Sequence, residues 1–222
     1  ALDRLVHRGI EKSFEHRPDF DMGPTVIVKH YEASRPLDDL VEDQSNLLTT
    51  AERLQIIESI AEALSYAHQS KITHRALSPS AIQVEESGQE KRAVLGRWHL
   101  GPTAIGGTLG IFQTSPEVDH SFLAPEVRDG SNRGGEAQDV YSLGALLLYI
   151  FGGRGPDREG DFVLDGNGLR PTPGSPEISE SILDLVKRAT FPSLDRRQRT
   201  VDEFLECLRN IGNNTTESDS SL

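Results

Sequence analysis

The chain has 222 residues, which is enough for one domain of ordinary size or at most two small ones. Its formal net charge is −12, from 35 acidic and 23 basic residues, and no dense run of Lys and Arg interrupts the acidic background. This composition argues against a nucleic-acid or anionic-membrane surface, and no apolar run approaches the ~20 residues of a membrane span. The single cysteine, Cys207, excludes an internal disulfide and falls on a predicted helix face, where a buried structural thiol is expected.

The first predicted elements are short. Apolar residues recur at helical spacing over residues 2–10, and the sequence H-R-G-I ends that pattern. The β-branched run Thr25–Val28 predicts a strand. A short helix is predicted over residues 35–41, with Pro36 near its first position.

The central part of the chain carries clearer signals. Thr49 is followed three residues later by Glu52, a capping box, and apolar residues then recur at helical spacing up to His68. We therefore predict a long helix there. Residues 81–84 and 92–95 predict two short strands joined by a turn at Ser87 and Gly88, and residues 100–119 predict a long loop.

The last third of the chain predicts three helices and a tail. Residues 139–151 are apolar nearly all round, as in a helix buried in a domain core, and Gly152 and Gly153 end it. Residues 178–189 and 200–208 predict amphipathic helices, and the polar residues 213–222 predict a disordered tail.

The most informative segment is H-R-A-L-S-P-S-A-I at residues 74–82. It has the spacing of the protein kinase catalytic loop, H-R-D-L-K-P-x-N, and retains His74 and Arg75. In it Ala76 stands in place of the catalytic Asp, Ser78 in place of the Lys, and Ala81 in place of the metal-binding Asn.

Further motifs follow in the order of the same family. R-W-H at residues 97–99 stands where D-F-G is expected, and Glu126 closes F-L-A-P-E, which resembles the A-P-E motif. Asp139 opens D-V-Y-S-L-G, which is similar to the start of the family's buried helix, and L-D-R-R-Q-R-T resembles a late motif whose conserved position is assigned to Arg199. Taken together, these motifs resemble the protein kinase superfamily.

The resemblance implies an α+β protein kinase-like fold with a mainly α-helical C-lobe and an N-lobe remnant, the end of helix C and strand 5. It divides the chain into an N-lobe remnant and hinge at residues 1–34, a C-lobe at residues 35–212 and a tail at residues 213–222. A narrower resemblance, carried by H-R-A-L-S-P and the Trp after Arg97, is to large bacterial phage-defence kinases of the phage-growth-limitation and BREX type. We therefore expect a bacterial, cytoplasmic protein.

The substitutions remove the groups that phosphoryl transfer uses in this family. Ala76 cannot accept the proton of the acceptor hydroxyl, and Ser78 is too short and uncharged to replace the Lys. Ala81 offers no metal ligand, Arg97 puts a positive charge where a dication is expected, and His99 replaces a flexible Gly. No catalytic group or metal site is therefore expected to be intact, and no cofactor is expected. ATP and Mg²⁺ would bind only if an active-kinase alternative holds.

Arg97 has two interpretations. Its guanidinium could contact a nucleotide phosphate in the place of magnesium, or it could pair with a nearby carboxylate such as Glu85 or Glu86, which is the favoured interpretation. Trp98 is expected to pack in the core. Lys29, near the position that gates the adenine pocket, is poor lining for an apolar pocket.

The residues that match the kinase motifs are expected to stabilise the fold. By resemblance, Asp139 accepts hydrogen bonds from the backbone near His74 and Arg75, and Glu126 forms a buried ion pair with Arg199. Arg75 would meet a phosphorylated loop residue, for which Thr103, Thr108, Thr114 and Ser115 are candidates.

Three functional hypotheses follow. The first is a pseudokinase that serves as a scaffold or regulatory module for protein partners. The second is an active Ser/Thr kinase in which Asp38, Asp39 or Glu85 replaces the lost base. The third is a kinase fragment without independent function, because the chain starts at Ala1 and contains neither the glycine-rich loop nor the strand-3 Lys.

Overall fold

The computed structural model describes residues 5–11, 13–17, 25–28, 34–43, 47–88, 90–98, 118–129, 135–152, 162–165, 168–171 and 178–219. The strands are β1 Ser13–Arg17, β2 Thr25–Val28, β3 Ser34–Pro36, β4 Ile82–Ser87, β5 Glu90–Leu95, β6 Phe162–Asp165 and β7 Gly168–Pro171. The helices are α1 Leu37–Glu42, α2 Thr50–Gln69, α3 Pro125–Arg128, α4 Glu136–Gly152, α5 Glu180–Ala189 and α6 Val201–Asp219.

Helix α2 begins at the predicted capping box. The backbone N–H of Glu52 donates to Thr49 Oγ1 at 3.2 Å, and the backbone N–H of Thr49 donates to Glu52 Oε2 at 2.8 Å. These bonds satisfy two backbone donors that the helix start leaves without intrahelical acceptors. The prediction of this helix is confirmed, and its apolar face is buried against β5, α4 and α6.

Helix α4 is the centre of the domain. Its side chains are buried on all faces from Ala137 to Ile150, as its composition predicts. It packs closely on α5, because a Cβ added at Gly144 would lie 2.6 Å from the Cβ of Ala189. Any larger residue at position 144 would push these two helices apart.

A three-stranded antiparallel sheet in the order β3-β4-β5 brings the candidate site together. Ile82, at the start of β4, pairs with Leu95, at the end of β5. The segment before β4 and the segment after β5 therefore lie at the same end of the hairpin. Gly88, with φ of +63°, makes the predicted turn at the other end.

The structure departs from the predicted elements near the start of the chain, in four strands and at the end of the last helix. The described part of the predicted first helix, residues 5–10, is not helical and ends in a parallel bridge between Ile10 and Leu95. The strands β1, β3, β6 and β7 were not predicted, because their short runs mix charged residues, proline and glycine with the apolar ones. Strand β3 includes residues 35 and 36, so the short helix predicted from residue 35 begins at Leu37. Helix α6 continues to Asp219, past its predicted end and into the segment predicted to be disordered. Its extension keeps the helical period, since Ile211 packs on the core.

None of the described helices combines the length and the hydrophobicity that a bilayer crossing requires.

Candidate active site

The catalytic-loop segment and the segment after β5 meet in the structure, as predicted. His74 is fully buried, and its Nε2 lies 2.9 Å from the carbonyl oxygen of Gly96. Because a carbonyl oxygen only accepts, the ring donates its Nε2 proton there. The ring also packs on Trp98, with 4.6 Å between the ring centroids. These contacts hold the catalytic loop against the segment that follows β5.

Burial lowers the pKa of His74, although the charge of Asp139 and the hydrogen bond to Gly96 act in the opposite direction. Its Nδ1 is buried and has no hydrogen-bond partner. A proton added there would have no acceptor, so the neutral ring is the favoured form. His74 is therefore a neutral structural donor in this fold.

Asp139 joins helix α4 to the catalytic loop. Its fully buried carboxylate accepts the backbone N–H of His74 and the backbone N–H of Arg75, both at 2.7 Å. A third contact, at 2.8 Å, comes from His68 Nε2 at the end of α2. Burial raises the pKa of Asp139, but the hydrogen bonds and charges of His68, His74 and Arg75 together outweigh burial, so the pKa lies below its usual value. The two backbone hydrogen bonds that the resemblance implied for Asp139 are present.

The same contacts hold the loop in an unusual conformation. Arg75 has φ of +65°, a left-handed conformation that non-glycine residues rarely adopt, and its backbone N–H is the one that donates to Asp139. Its side-chain Nε also donates to Thr73 Oγ1 at 2.8 Å. Asp139 thus stabilises the turn that leads into residues 76–81.

Ala76 lies where the family places its catalytic carboxylate, and it is 4% exposed. Its methyl group belongs to a small apolar cluster in which the other members are Val118, Leu123, Ala124, Val127 and Tyr141. The position is therefore packed as part of the core and is closed to solvent.

The other degenerate positions lie around Ser80. Ser78 Oγ lies 3.2 Å from Ser80 Oγ, and Arg97 Nη1 donates to Ser80 Oγ at 3.3 Å. Ala81, in the metal-binding Asn position, is 3% exposed and offers only a methyl group. Arg97 has φ of +55° and is half-buried. The structure thus brings Ser78, Ala81 and Arg97 together around Ser80, which was not a predicted site residue.

The carboxylate beside Arg97 is Glu11, which corrects the predicted pairing with Glu85 or Glu86. Burial raises the pKa of Glu11, while a hydrogen bond from the Arg97 backbone and the Arg97 charge lower it. The carboxylate lies directly over Gly96, where a Cβ would overlap it. Glu11 reaches this place because its backbone N–H donates to the carbonyl of Leu95 at 2.8 Å.

Glu85 and Glu86 point to other cations on the hairpin. Glu86 Oε1 lies 3.1 Å from Lys91 Nζ, and Glu85 Oε2 lies 3.9 Å from Arg92 Nη1. The pairing was mispredicted because sequence proximity favoured β4, whereas the parallel bridge brings residue 11 next to the end of β5.

Trp98 packs in the core, as predicted: it is 6% exposed and its Nε1 donates to the carbonyl of Leu95 at 3.0 Å. His99 and Lys29 lie outside the described residues, as do the candidate phosphorylation positions in the loop after Trp98. Cys207 is a free, partly buried thiol, less enclosed than expected.

The buried ion pair of Glu126 is formed with Arg197, and the assignment to Arg199 is wrong. Arg197 Nη1 lies 2.7 Å from Glu126 Oε1, and Nη2 lies 3.1 Å from Oε2. Arg197 also donates to the carbonyls of Phe191 and Ala137. Arg199 is exposed. Residues 196–199, R-R-Q-R, include three arginines. Only their burial in the folded structure shows which of them pairs with Glu126.

A cavity of about 270 Å³ adjoins the catalytic loop, and residue patterns had not predicted it. Its walls are acidic and aromatic, from Asp38, Glu42, Pro79, Ser80, Asp119, Phe122 and Tyr149. Asp38 accepts a hydrogen bond from the Tyr149 hydroxyl at 3.0 Å. Burial raises the pKa of Asp38, and the charges of Glu42 and Asp119 raise it further. Carboxylates therefore lie next to the loop, although none replaces Ala76 at its own position.

Magnesium does not fit the donor set at the degenerate positions. Mg²⁺ requires oxygen ligands, whereas position 81 supplies a methyl group and position 97 a guanidinium. Across the described ranges, no group of three or more His, Cys, Asp and Glu side chains is arranged to hold a metal ion.

A family model for the protein kinase domain matches residues 13–206. Among curated proteins, the chain is 26% identical to the probable kinase PglW of Streptomyces coelicolor, over all of this chain and 16% of that protein. It is 32% identical to the serine/threonine-protein kinase PknJ of Mycobacterium tuberculosis, over 71% of this chain and 28% of that protein. The chain thus spans less than a third of the length of either relative.

The fold is also that of solved kinase domains. The PknI kinase domain of Mycobacterium tuberculosis matches with a TM-score of 0.67 and 21% identity, over 93% of this chain and 73% of that one. The Rad53 kinase domain, solved with SCD2 and AMPPNP, matches with a TM-score of 0.63 and 19% identity, over 92% of this chain and 74% of that one. At these identities the match concerns the fold alone.

Proposed function

The chain belongs to the protein kinase family, and on this premise we propose that it is a pseudokinase, a kinase-like domain that does not carry out Mg²⁺-dependent phosphotransfer. The observation that carries the proposal is Ala76. Its methyl group is packed into a closed apolar cluster where a carboxylate would orient the acceptor hydroxyl and take its proton. A lost general base costs about 10²- to 10⁴-fold in rate.

The neighbouring substitutions support the same proposal. Magnesium would need oxygen ligands at positions 81 and 97, and Arg97 adds a repulsive charge there. Ser78 is engaged with Ser80 and carries no charge for a transferring phosphoryl group. Because base, lysine and both metal ligands change together, one compensating group would not restore the chemistry.

The domain would then act by binding a protein partner as a scaffold or regulatory module. The framework that shapes a kinase C-lobe is retained, with Asp139 holding the loop and Glu126 paired to Arg197. These contacts preserve the shape of the C-lobe surface. Binding a partner through that surface does not require catalytic turnover. A role in phage defence, suggested by the narrower sequence resemblance, remains a prediction.

A second function, an active Ser/Thr kinase, is favoured by one observation. Asp119 directly follows Val118, which belongs to the same apolar cluster as Ala76, and Asp119 and Asp38 both line the cavity beside Ser80. Either carboxylate could act as a relocated base. Of the other candidates, Asp39 does not line this cavity, and Glu85 faces Arg92 on the hairpin.

Phosphotransfer from γ-labelled ATP, with and without Mg²⁺, tests the proposal in the full-length gene product. We expect no transfer to the protein itself or to a generic Ser/Thr substrate above that of a heat-denatured control. Mg²⁺-dependent transfer that disappears in Asp119→Asn or Asp38→Asn, while Asp195→Asn retains it, would establish the second function and refute the first.

A further inference from the structure

A second cavity lies where the end of helix α2 meets the starts of helices α4 and α6. Its volume is about 140 Å³, and it shares no lining residue with the acidic cavity beside the catalytic loop. Two carboxylates, one ammonium group and several neutral side chains form its walls, from Ser65, His68, Gln69, Lys71, Glu136, Val201 and Asp202. None of these residues occupies a degenerate position, so the cavity is a separate candidate site on the C-lobe.

One buried polar atom at this cavity has no partner. His68 is 4% exposed, and its Nε2 donates to the carboxylate of Asp139 at 2.8 Å. In the neutral ring Nδ1 is then an acceptor, and it is buried without a hydrogen-bond partner among the described residues. Glu136 Oε2 lies 3.6 Å from Nδ1, which is too far for a hydrogen bond. A donor that entered between these two atoms would satisfy a buried acceptor.

The other polar groups of the cavity are mainly acceptors as well. Asp202 Oδ1 accepts the hydroxyl hydrogen of Ser65 at 2.6 Å, so the hydroxyl oxygen keeps its lone pairs for a further donor. Glu136 and Asp202 each lie in the first turn of a helix, where a negative charge is favoured. Among the lining residues, which are all described, Lys71 is the one cation, and it is exposed. The cavity therefore has a net negative charge and favours a ligand that brings donors.

The chemistry of this lining selects the kind of ligand. An anion would meet the two carboxylates, and no described group of three or more His, Cys, Asp and Glu side chains is arranged to hold a metal ion. A guanidinium brings a positive charge and several N–H donors in a planar fork, and its hydrogen bonds to carboxylates are charge-assisted.

We infer that this cavity binds the guanidinium group of an arginine side chain from a protein partner. The inference deepens the proposed function and rests on it, since it names the chemistry by which the scaffold would recognise its partner. The acceptors come from three helices, with His68 on α2, Glu136 on α4 and Asp202 on α6, and a forked donor can reach more than one of them. Gln69, Lys71 and Asp202 are exposed, so a side chain can enter from solvent.

The test titrates N-acetyl-arginine amide into the protein at pH 7.5, above the ordinary imidazole pKa of about 6.5. Nuclear magnetic resonance of nitrogen-15-labelled histidine follows the seven rings, and the His68 signals are those that are lost in His68→Gln. We expect saturable binding with a Kd of about 1 mM, and a shift of the His68 Nδ1 signal as this atom becomes an acceptor. N-acetyl-citrulline amide, which has a similar shape and no charge, should not bind measurably. N-acetyl-lysine amide should bind more weakly than the arginine derivative.

The variants separate the charges of the cavity. Glu136→Gln and Asp202→Asn should each weaken binding about 10-fold, because each removes a charged acceptor. Lys71→Gln removes a like charge beside the ligand and should tighten binding. Glu206→Gln removes an exposed carboxylate of α6 that does not line this cavity, and it should leave the affinity unchanged. If one carboxylate variant fails to fold by circular dichroism, the other variant and Lys71→Gln still decide the outcome through their opposite signs.

Four results would overturn the inference. They are no saturable binding, as in a cavity that holds water alone; equal affinities for the arginine and citrulline derivatives; wild-type affinity in both carboxylate variants; and binding that leaves the His68 signals unchanged. None of these results bears on phosphotransfer. Transfer from labelled ATP would refute the pseudokinase without changing these affinities, so the failure of the inference and the failure of the proposed function are distinguishable.

Discussion

Two regions on either side of the same loop differ in how their charges are used. In the first, which we call the framework, buried or half-buried charged and polar residues are joined by hydrogen bonds; it consists of His68, His74, Arg75, Glu126, Asp139 and Arg197. In the second, the degenerate positions, the groups that would carry phosphotransfer are replaced by small neutral residues and one arginine; they are Ala76, Ser78, Ala81 and Arg97.

The difference shows which polar groups the fold requires. Removing one partner from a buried hydrogen-bonded pair leaves the other desolvated and unsatisfied, so the framework cannot change one residue at a time without loss of stability. A residue that faces the cleft and serves only chemistry carries no such constraint. Ala76, at one of these positions, is a member of an apolar cluster. The architecture of a kinase domain can thus be kept after its catalytic groups are gone.

The largest effect is expected at Arg197. Replacing it with Met leaves Glu126 buried without its guanidinium, and we expect a loss of about 3–5 kcal/mol in the free energy of unfolding, measured by urea denaturation. The matched variant is Arg199→Met, which removes an exposed charge two residues away and should cost less than about 0.5 kcal/mol. Equal losses for the two variants would contradict the pairing with Glu126.

The second effect is expected at Asp139. In Asp139→Asn the amide cannot accept all three hydrogen bonds that the carboxylate accepts from His68, His74 and Arg75. We expect a loss of about 2–4 kcal/mol in the free energy of unfolding. Asp195→Asn changes an exposed carboxylate and serves as the control. A variant as stable as that control would show that Asp139 does not hold the loop.

A smaller effect should arise at Ala76. Ala76→Asp restores the residue that the family uses, but its carboxylate would enter the apolar cluster with Val118 and Tyr141. We expect the free energy of unfolding to fall by about 1–3 kcal/mol, because a polar group is buried without partners. Ala76→Ser, with a smaller uncharged group, should cost less. Unchanged stability of the Asp variant would mean that position 76 is still open to the cleft.

The smallest effect is a pH dependence set by His74. Its pKa is lowered in the folded protein, so the unfolded chain binds a proton more readily. The stability that the neutral ring contributes is complete above the unfolded pKa of about 6.5 and is lost as the pH falls towards the folded pKa. From this residue we expect at most about 1.4 kcal/mol per pH unit below pH 6.5. In His74→Asn, the midpoint of urea denaturation should depend less on pH between pH 7.5 and pH 5.5 than it does in the wild type. The same pH dependence in both proteins would argue against a neutral buried ring.

Sequence patterns were sufficient for the elements whose signals are local. The capping box of Thr49 and Glu52, the apolar period of α2 and the all-apolar run of α4 each depend on residues within a few positions of one another. The motif order also identified Asp139 as the acceptor for the catalytic-loop backbone. The resemblance to the kinase catalytic loop and D-F-G motif likewise identified Ala76, Ser78, Ala81 and Arg97 as the substituted positions.

Contacts between distant segments that no motif marks were decided by the tertiary structure. Glu11 rather than Glu85 lies beside Arg97, since a parallel bridge aligns Ile10 with Leu95. Arg197 rather than Arg199 reaches Glu126, because only one cation of that run is buried. The acidic cavity needs α1, α4 and the segment before α3 to converge. Local residue preferences act over a few positions, whereas these pairings depend on how helices and strands pack across the whole domain.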